Sequence, residues 1–86
     1  MAYNLRYKKP AAEDVQALSP QIKKRLGEKL AFFAGQKNCL EFAKTLTKPA
    51  DAQYRFRVGD FRILFDLEGD NIVVLRIQHR REVYKK

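Results

Sequence analysis

The architecture that the sequence predicts depends on one stretch, Tyr54-Arg-Phe-Arg-Val-Gly-Asp-Phe-Arg-Ile-Leu-Phe-Asp-Leu67. Apolar side chains alternate with polar ones on either side of Gly59-Asp60, which predicts two strands joined by a two-residue turn of the II′ kind. Strands joined in this way are antiparallel neighbours. A second turn at residues 68–71 leads into the β-branched run of residues 72–78, which predicts a third strand. The C-terminal half therefore predicts an antiparallel meander.

The N-terminal half predicts a short strand and two helices. Residues 3–8 alternate apolar and polar side chains, which is typical of a strand, and Pro10 ends it. Residues 11–18 suit a short helix. Ser19-Pro20 then supplies a capping hydroxyl and a first-turn proline for a second helix, which ends near Gly35. Apolar residues recur at helical spacing in this second helix, so one of its faces packs on a core.

The chain as a whole predicts a single domain, residues 1–86. Residues 36–53 carry mixed signals and predict a loop with one helical turn, and no repeat, low-complexity tract or linker divides the sequence. A chain of 86 residues has room for one compact core. The predicted fold class is therefore α+β, with a small antiparallel β-sheet and two N-terminal helices packed on one of its faces.

The opposite face of the predicted sheet is basic. Residues two apart on a strand point the same way, so if Val73, Leu75 and Ile77 face the core, the arginines of all three strands face away from it. These arginines are Arg55, Arg57, Arg62, Arg76 and Arg80. A guanidinium presents a planar fork of donors that matches phosphate oxygens, so this face predicts a cradle for an RNA backbone. The alternative is the ordinary solvated face of an antiparallel sheet.

The charge balance also indicates a polyanionic partner. Lysine and arginine number 18 against 10 acidic residues, giving a formal net charge of +8. On so small a surface this excess attracts nucleic acid, an anionic membrane or an acidic protein alike, so charge alone does not choose among them. No stretch approaches the ~18 apolar residues of a membrane span, and the N-terminus lacks a signal-peptide core. The sequence predicts a soluble cytoplasmic protein.

Few other side chains predict chemistry. Cys39 is the single cysteine, so the chain has no intramolecular disulfide and no cysteine-rich metal site, which is typical of a reducing compartment. His79 is the single histidine and suits proton transfer near neutral pH. Strand parity puts it away from the arginines, which favours a histidine held at the sheet rim by a backbone hydrogen bond. We expect no metal and no cofactor.

Two motifs carry a family resemblance. Residues 54–63 of the stretch quoted above resemble the central hairpin of the RelE/ParE superfamily of bacterial and archaeal toxins, and His79-Arg-Arg-Glu-Val-Tyr84 resembles its closing motif. The resemblance covers nearly the whole chain and is nearest to the RelE-like branch. It implies the toxin of a type II toxin–antitoxin system, an mRNA interferase that cuts mRNA on the ribosome, inhibits translation and is neutralised by a cognate antitoxin protein.

The resemblance also implies roles for single residues. RelE-like endoribonucleases use a ribose 2′-hydroxyl to attack the adjacent phosphate without a metal ion, which needs a base, charge stabilisation at phosphorus and an acid for the leaving 5′-oxygen. Arg55 and Arg57 match two basic positions of these enzymes, and Arg62 matches a phosphate-binding arginine. Arg80 matches the arginine assigned to the leaving group. Tyr84 matches the C-terminal tyrosine, which acts as the base or stacks on a nucleobase.

Four more basic residues complete the predicted RNA-binding set: Arg76, Arg81, Lys23 and Lys24. Arg81 is an alternative to Arg80 beside the leaving group. Lys23 and Lys24, with Arg25, lie on the outer face of the second helix, which is either solvated or in contact with ribosomal RNA.

The same fold is compatible with two other functions. One is a ParE-like protein that poisons DNA gyrase without cutting RNA, and the other is a catalytically inactive module that binds RNA or an antitoxin. ParE-like proteins generally lack the full basic set and the closing tyrosine, whereas both are present in this sequence. The sequence therefore favours the ribonuclease.

Overall fold

Three consecutive strands form the antiparallel meander that the sequence predicts. The computed structural model describes residues 3–47 and 52–80. Its elements in chain order are β1 (Asn4–Tyr7), α1 (Lys9–Gln16), α2 (Pro20–Ala34), a 3₁₀ turn (Cys39–Phe42), β2 (Lys44–Thr45), β3 (Tyr54–Val58), β4 (Phe61–Glu68) and β5 (Asn71–His79). Within this part of the chain the strands form a five-stranded sheet of order β1-β5-β4-β3-β2 beside two helices, which confirms the α+β class. No helix in it is long and apolar enough to cross a membrane.

Two glycine–aspartate turns join the strands of the meander. Gly59 has a φ of +57° and Gly69 a φ of +58°, a left-handed conformation that glycine adopts without the steric penalty of a Cβ. The aspartate after each glycine has a negative φ, which is the combination required by the predicted II′ turn at Gly59-Asp60. A turn this short fixes the register of β3 on β4, beginning with Val58 opposite Phe61.

The sheet is mixed rather than wholly antiparallel. β1 pairs in parallel with β5, from Asn4 opposite Asn71 to Tyr7 opposite Val74. β2 adds two residues at the other edge, antiparallel to β3. The prediction of a purely antiparallel sheet is wrong on this point, because the alternation of residues 3–8 identifies a strand but not its partner.

A bulge in β5 interrupts the alternation of its side chains. Leu64 lies opposite Arg76 and Phe65 lies opposite Val74, so Leu75 is an extra residue on β5 with no partner on β4. An extra residue on one strand shifts every later pairing by one position. Side chains therefore alternate between the two faces of the sheet on both sides of the bulge, but the alternation is shifted by one residue between the two halves of β5.

The expectation that Val73, Leu75 and Ile77 share the core face is wrong for the first two. Ile72, Val74 and Ile77 belong to the main buried cluster, whereas Val73 is buried outside it. The bulge at Leu75 is the reason, because it reverses the parity of the N-terminal half of β5.

α2 packs its apolar face on the sheet, as predicted. Its buried residues are Leu26, Leu30, Phe33 and Ala34. Phe33 stacks on Phe56 of β3 with ring centroids 4.2 Å apart, and Phe56 stacks on Phe65 of β4 at 4.2 Å. Ring pairs of this kind add about 0.5–1.5 kcal/mol each beyond the burial itself. The stack fixes α2 over β3 and β4, on the face away from the arginines of those strands.

α1 lies against the part of β5 that β1 does not reach. Ala11 is fully buried in the core cluster. The Asp14 carboxylate accepts the backbone N–H of Ile77 at 2.8 Å. An edge N–H of a strand needs an acceptor when no further strand supplies one, and Asp14 fills that need.

Candidate functional site

Four arginines and two turn residues line one open pocket at the end of the β3–β4 hairpin. The pocket has a volume of about 280 Å³. The residues that form this arginine pocket are Arg55, Arg57, Gly59, Asp60, Arg62 and Arg80. The structure thus brings together the four arginines to which the resemblance gives catalytic roles.

The cross-strand register places two of these arginines side by side on the same face of the sheet. Arg57 on β3 lies directly opposite Arg62 on β4. Like charges in directly opposed positions destabilise a sheet, by up to about 1 kcal/mol. A phosphate bound between the two guanidiniums would replace this repulsion with charge-assisted hydrogen bonds. The pairing is therefore unfavourable in the empty sheet and favourable for binding an anion.

Arg55 lies two residues further from the turn than Arg57, on the same face of the sheet. Its partner on β4 is Leu64, and its partner on β2 is Lys44. Directly paired residues point to the same face of a sheet, so the exposed Lys44 adds a positive charge beside Arg55. The sequence did not indicate Lys44, because a strand of two residues is too short to show a period.

A backbone hydrogen bond holds Arg80 at the hairpin turn. Its N–H donates to the carbonyl oxygen of Asp60 at 2.6 Å, immediately after the end of β5. The side chain of Arg80 is exposed and contributes to the lining of the arginine pocket. The end of β5 therefore closes the pocket on the side facing away from β3.

Arg62 is half-buried, and its Nε atom has no contact with solvent. Among the described residues this Nε has no hydrogen-bond partner. A buried donor without a partner typically costs about 1–3 kcal/mol, and such groups in folded proteins often mark a functional site. The position of Arg62 is thus maintained against a local energetic penalty.

α2 supplies a further arginine at the same turn. Arg25 lies over Gly59, where a Cβ would meet its Nη2 atom at 2.8 Å and its Cζ atom at 3.4 Å. The sequence left two alternatives for the helix face that carries Arg25, a solvated face or a contact with ribosomal RNA. Arg25 is exposed, and its guanidinium lies at the edge of the arginine pocket beside Gly59.

Arg76 does not line the arginine pocket. The sequence predicted that five arginines converge, and in the structure four of them do. Its Nε donates to Oδ2 of Asp14 at 2.8 Å, and its Nη2 donates to Oδ1 at 3.1 Å. Because α1 fixes Asp14 beside Ile77, the guanidinium of Arg76 is held at the edge of the sheet. Partial burial acts to raise the pKa of Asp14, but the hydrogen bonds from Arg76 and the Ile77 N–H and the charge of Arg76 outweigh it and lower that pKa.

The remaining predicted site residues lie elsewhere. Lys23 and Lys24 are exposed on α2 and do not line the arginine pocket. Lys23 instead borders a mainly apolar groove of about 440 Å³ between α1, α2 and β5. Arg81 and Tyr84 lie outside the described residues.

The histidine and the cysteine lie away from the pocket lining. The His79 ring meets Phe61 edge to face, with centroids 4.9 Å apart. Cys39 is buried, and burial raises the pKa of its thiol despite a hydrogen bond with Tyr3. Within residues 3–47 and 52–80, no group of three or more histidine, cysteine, aspartate or glutamate side chains is placed to hold a metal ion.

Asp60 is a residue of the arginine pocket that the sequence did not indicate as functional. The pattern identified it only as the second residue of a two-residue turn. Its position in the hairpin motif, between Arg57 and Arg62, is the feature of the sequence that could have indicated a place in the site. Asp60 is thus the one acidic residue among the described residues that line the arginine pocket.

In sequence and in structure, this chain resembles the toxins of toxin–antitoxin systems. Residues 5–84 match a family described as the ParE toxin of the type II toxin–antitoxin system parDE. Toxin RelG of Mycobacterium tuberculosis is 27% identical over 88 residues, which cover 100% of both chains. A chain of the M. tuberculosis toxin–antitoxin complex RelBE2 superposes with a TM-score of 0.78 at 27% identity, covering 93% of this chain and 100% of that chain. The isolated E. coli RelE toxin shares the fold, with a TM-score of 0.69 at 19% identity over 96% of this chain and 92% of that one.

Proposed function

This chain belongs to the ParE toxin family of type II toxin–antitoxin systems, and we propose that it acts as an mRNA endoribonuclease of the RelE-like kind, which cuts mRNA on the ribosome and so inhibits translation. The observation that carries the proposal is the arginine pocket. Four guanidiniums around a space of about 280 Å³ suit a phosphodiester and the extra negative charge that it acquires during cleavage.

The proposed reaction is a transesterification within the RNA itself. The ribose 2′-oxygen attacks the adjacent phosphorus, the bond to the 5′-oxygen breaks, and a 2′,3′-cyclic phosphate and a 5′-hydroxyl remain. The pentavalent intermediate carries more negative charge than the substrate, so donors aimed at it lower the barrier. No step requires a metal ion.

Each arginine of the pocket has a place in this scheme. Arg57 and Arg62, which are paired directly across β3 and β4, hold the two sides of the phosphate, and Arg55 stabilises the charge from two residues further along β3. Arg80, at the end of β5, donates a hydrogen bond to the leaving 5′-oxygen. Arginine does not deprotonate in proteins, so none of the four serves as the base. Tyr84 stacks on a nucleobase or acts as the base.

The other basic residues belong to RNA binding in this proposal. Lys23, Lys24, Arg76 and Arg81 are assigned contacts with the RNA backbone, and the position of Lys44 beside Arg55 supports adding it to them. Contacts of this kind add affinity without choosing a sequence.

The proposed partners are the ribosome, its mRNA and a cognate antitoxin protein, all in the cytoplasm. Several similar toxins have been solved in complex with a RelB antitoxin. An antitoxin for this chain needs acidic groups for the arginine pocket, and an apolar segment of it would fit the groove between α1, α2 and β5. The acidic part of the contact weakens as salt rises.

A second function, poisoning of DNA gyrase, is favoured by one observation, the ParE name of the matching family. The curated relative and the solved structures described above carry RelE-type names. A protein–protein inhibitor also has no need for four arginines around one phosphate-sized space. A catalytically inactive RNA- or antitoxin-binding module is the third possibility.

The test adds purified protein to a translation reaction programmed with a defined mRNA and maps new 5′ ends. We expect new ends that appear only when ribosomes are present, while a parallel supercoiling assay shows gyrase unaffected. Gyrase inhibition without new ends would establish the ParE-like function instead. Absence of both effects, for protein that still binds its antitoxin, would leave the inactive module.

A further inference from the structure

Among the described residues that line the arginine pocket, one has a side chain that accepts a proton. Of the six residues that line it, four are arginines and one is a glycine. Guanidinium is a donor only and stays charged in proteins. Within the part of the lining that the structure describes, the carboxylate of Asp60 is therefore the one side-chain proton acceptor.

Asp60 is fixed in place but its carboxylate is not engaged. Its backbone carbonyl accepts the N–H of Arg80 at 2.6 Å, which ties the turn to the end of β5. Within residues 3–47 and 52–80, the carboxylate itself forms neither a hydrogen bond nor an ion pair, whereas Asp14 is bound by Arg76 in two places. A positioned carboxylate with no partner of its own is available to a substrate.

A second glycine–aspartate turn in the chain allows the turn role of Asp60 to be separated from its position in the pocket. Gly69-Asp70 repeats Gly59-Asp60 with nearly the same glycine φ, and the Asp70 carbonyl accepts the N–H of Asn4 at 2.8 Å. Asp70 thus has the same backbone role. Asp70 does not line the arginine pocket, so the two aspartates differ in whether they lie beside its arginines.

We propose that Asp60 is the general base of the cleavage reaction. The proposal rests on the proposed ribonuclease function. The Asp60 carboxylate takes the proton of the ribose 2′-hydroxyl as that oxygen bonds to phosphorus and the bond from phosphorus to the 5′-oxygen breaks. Water gives a proton to the departing 5′-oxygen, and the resulting hydroxide removes the proton from Asp60, which restores the carboxylate. Tyr84 then has the stacking role.

The charges around Asp60 suit this step. Arg55 and Arg57 on β3, Arg62 on β4 and Arg80 after β5 share the pocket with it, and Arg25 reaches its neighbour Gly59 from α2. All are positive, and none of them accepts a proton itself. They also hold the phosphate next to it, which leaves proton transfer to Asp60 and charge stabilisation to the arginines.

The first test compares Asp60→Asn with Asp70→Asn. Asparagine keeps the size and turn preference of aspartate but accepts no proton. Single-turnover cleavage on programmed ribosomes should fall by roughly 10²- to 10⁴-fold in Asp60→Asn, which is the usual contribution of a general base, and should not change in Asp70→Asn. Ribosome binding by Asp60→Asn should be unchanged or tighter, because a negative charge has been removed from a cationic pocket. Cleavage by Asp60→Asn within about threefold of the parent rate, a shift of less than about 0.7 kcal/mol, would overturn the proposal.

The second test needs no change at Asp60, so it holds even if that variant folds poorly. A phenol base makes the rate rise about tenfold per pH unit between about pH 7 and about pH 9, whereas carboxylates are already ionised over this range. We expect a flat profile for the parent and a profile of the same shape for Tyr84→Phe. A steep rise that disappears in Tyr84→Phe would assign the base to Tyr84 instead. Failure of the parent to cut on ribosomes would refute the ribonuclease function itself, which is a different result from either of these.

Discussion

The guanidinium of Arg25, on α2, lies over the Cα atom of Gly59, in the β3–β4 turn. A Cβ on residue 59 would come within 2.8 Å of the Nη2 atom of Arg25. Gly69, in the other turn, has the same left-handed φ to within a degree, but a Cβ there meets nothing within 4 Å. The two glycines therefore have the same φ and differ in whether another side chain lies close to the Cα atom.

Alanine at these two positions should separate backbone strain from the contact with Arg25. Gly59→Ala and Gly69→Ala should each lower the free energy of unfolding by about 1–2 kcal/mol, because both force a Cβ into a left-handed conformation. The tip of Arg25 moves easily, so the two losses should agree within about 0.5 kcal/mol in urea unfolding. Only Gly59→Ala should also weaken ribosome binding, and it should do so as much as Arg25→Ala. An additive further loss in the double variant would show that the two act separately.

Arg62→Ala should separate catalysis from folding. It removes a charge-assisted donor to the pentavalent phosphorane, and the loss of such a donor slows cleavage by roughly 10²-fold. It also removes the repulsion from Arg57 and an unpaired buried Nε, so the melting temperature should stay the same or rise. Single-turnover cleavage and thermal unfolding are measured on the same preparations. Gln78→Ala, directly across from Arg62 on β5, is the control and should cut at the parent rate.

Asp14→Ala should destabilise the protein near neutral pH and much less in acid. The folded-state pKa of Asp14 is below its ordinary value of 3.8, so its stabilising contribution is present above that value and is lost as the pH falls through the folded-state pKa. The substitution also leaves the Ile77 N–H without its carboxylate acceptor, which costs about 1–3 kcal/mol. Urea unfolding at about pH 7 and about pH 3 measures both effects against the parent. Glu13→Ala, at an exposed neighbour on the same helix, should show neither.

Gly27→Ala should stabilise the protein. Gly27 lies in the interior of α2, is exposed, and has no atom within 4 Å of the position that a Cβ would take. Alanine in place of a glycine inside a helix raises stability by roughly 0.5–1 kcal/mol. Gly35→Ala is the matched comparison, because it lies after the last helical residue and its Cβ would touch the Ala31 carbonyl oxygen at 3.4 Å. An equal gain at both positions would mean that helix propensity is not the cause.

Ribosome binding should weaken steeply as salt is raised. Each phosphate neutralised by the protein releases counterions, so the logarithm of the affinity falls linearly with the logarithm of the salt concentration. Arg57→Ala removes one phosphate contact and should reduce that slope by about one unit. Lys29→Ala, on the outer surface of α2 beside Phe32, should leave the slope unchanged. A slope that does not respond to Arg57→Ala would remove Arg57 from the phosphate site.

Local sequence signals were sufficient for the meander and for most of the arginine pocket. A two-residue turn fixes which residues of β3 and β4 face each other, and the period of two then fixes which side each takes. Arg57 and Arg62 follow from that rule, and the structure pairs them directly. The II′ conformation of Gly59-Asp60 follows from the same few residues.

The features that the sequence did not supply depend on contacts between distant segments. The parallel partner of β1, the Arg76–Asp14 ion pair and the Arg25–Gly59 contact each join residues from different elements. A charged side chain on a known face of a strand has several possible partners. Arg76 pairs with Asp14 because α1 packs against β5, and the sequence does not show that packing. The bulge at Leu75 is equally invisible, because a run of β-branched residues has apolar side chains for either face.

β1 is translated well before β5, and this has a consequence for when the arginine pocket exists. Asn4 through Tyr7 have no strand to pair with until β5 has been translated, and Arg80 comes after β5. Non-local pairing of this kind forms late because a long loop must close first. Until β5 and Arg80 have left the ribosome, a nascent chain has neither the complete sheet nor its fourth pocket arginine. The arginine pocket is therefore complete only once the chain has been made as far as Arg80.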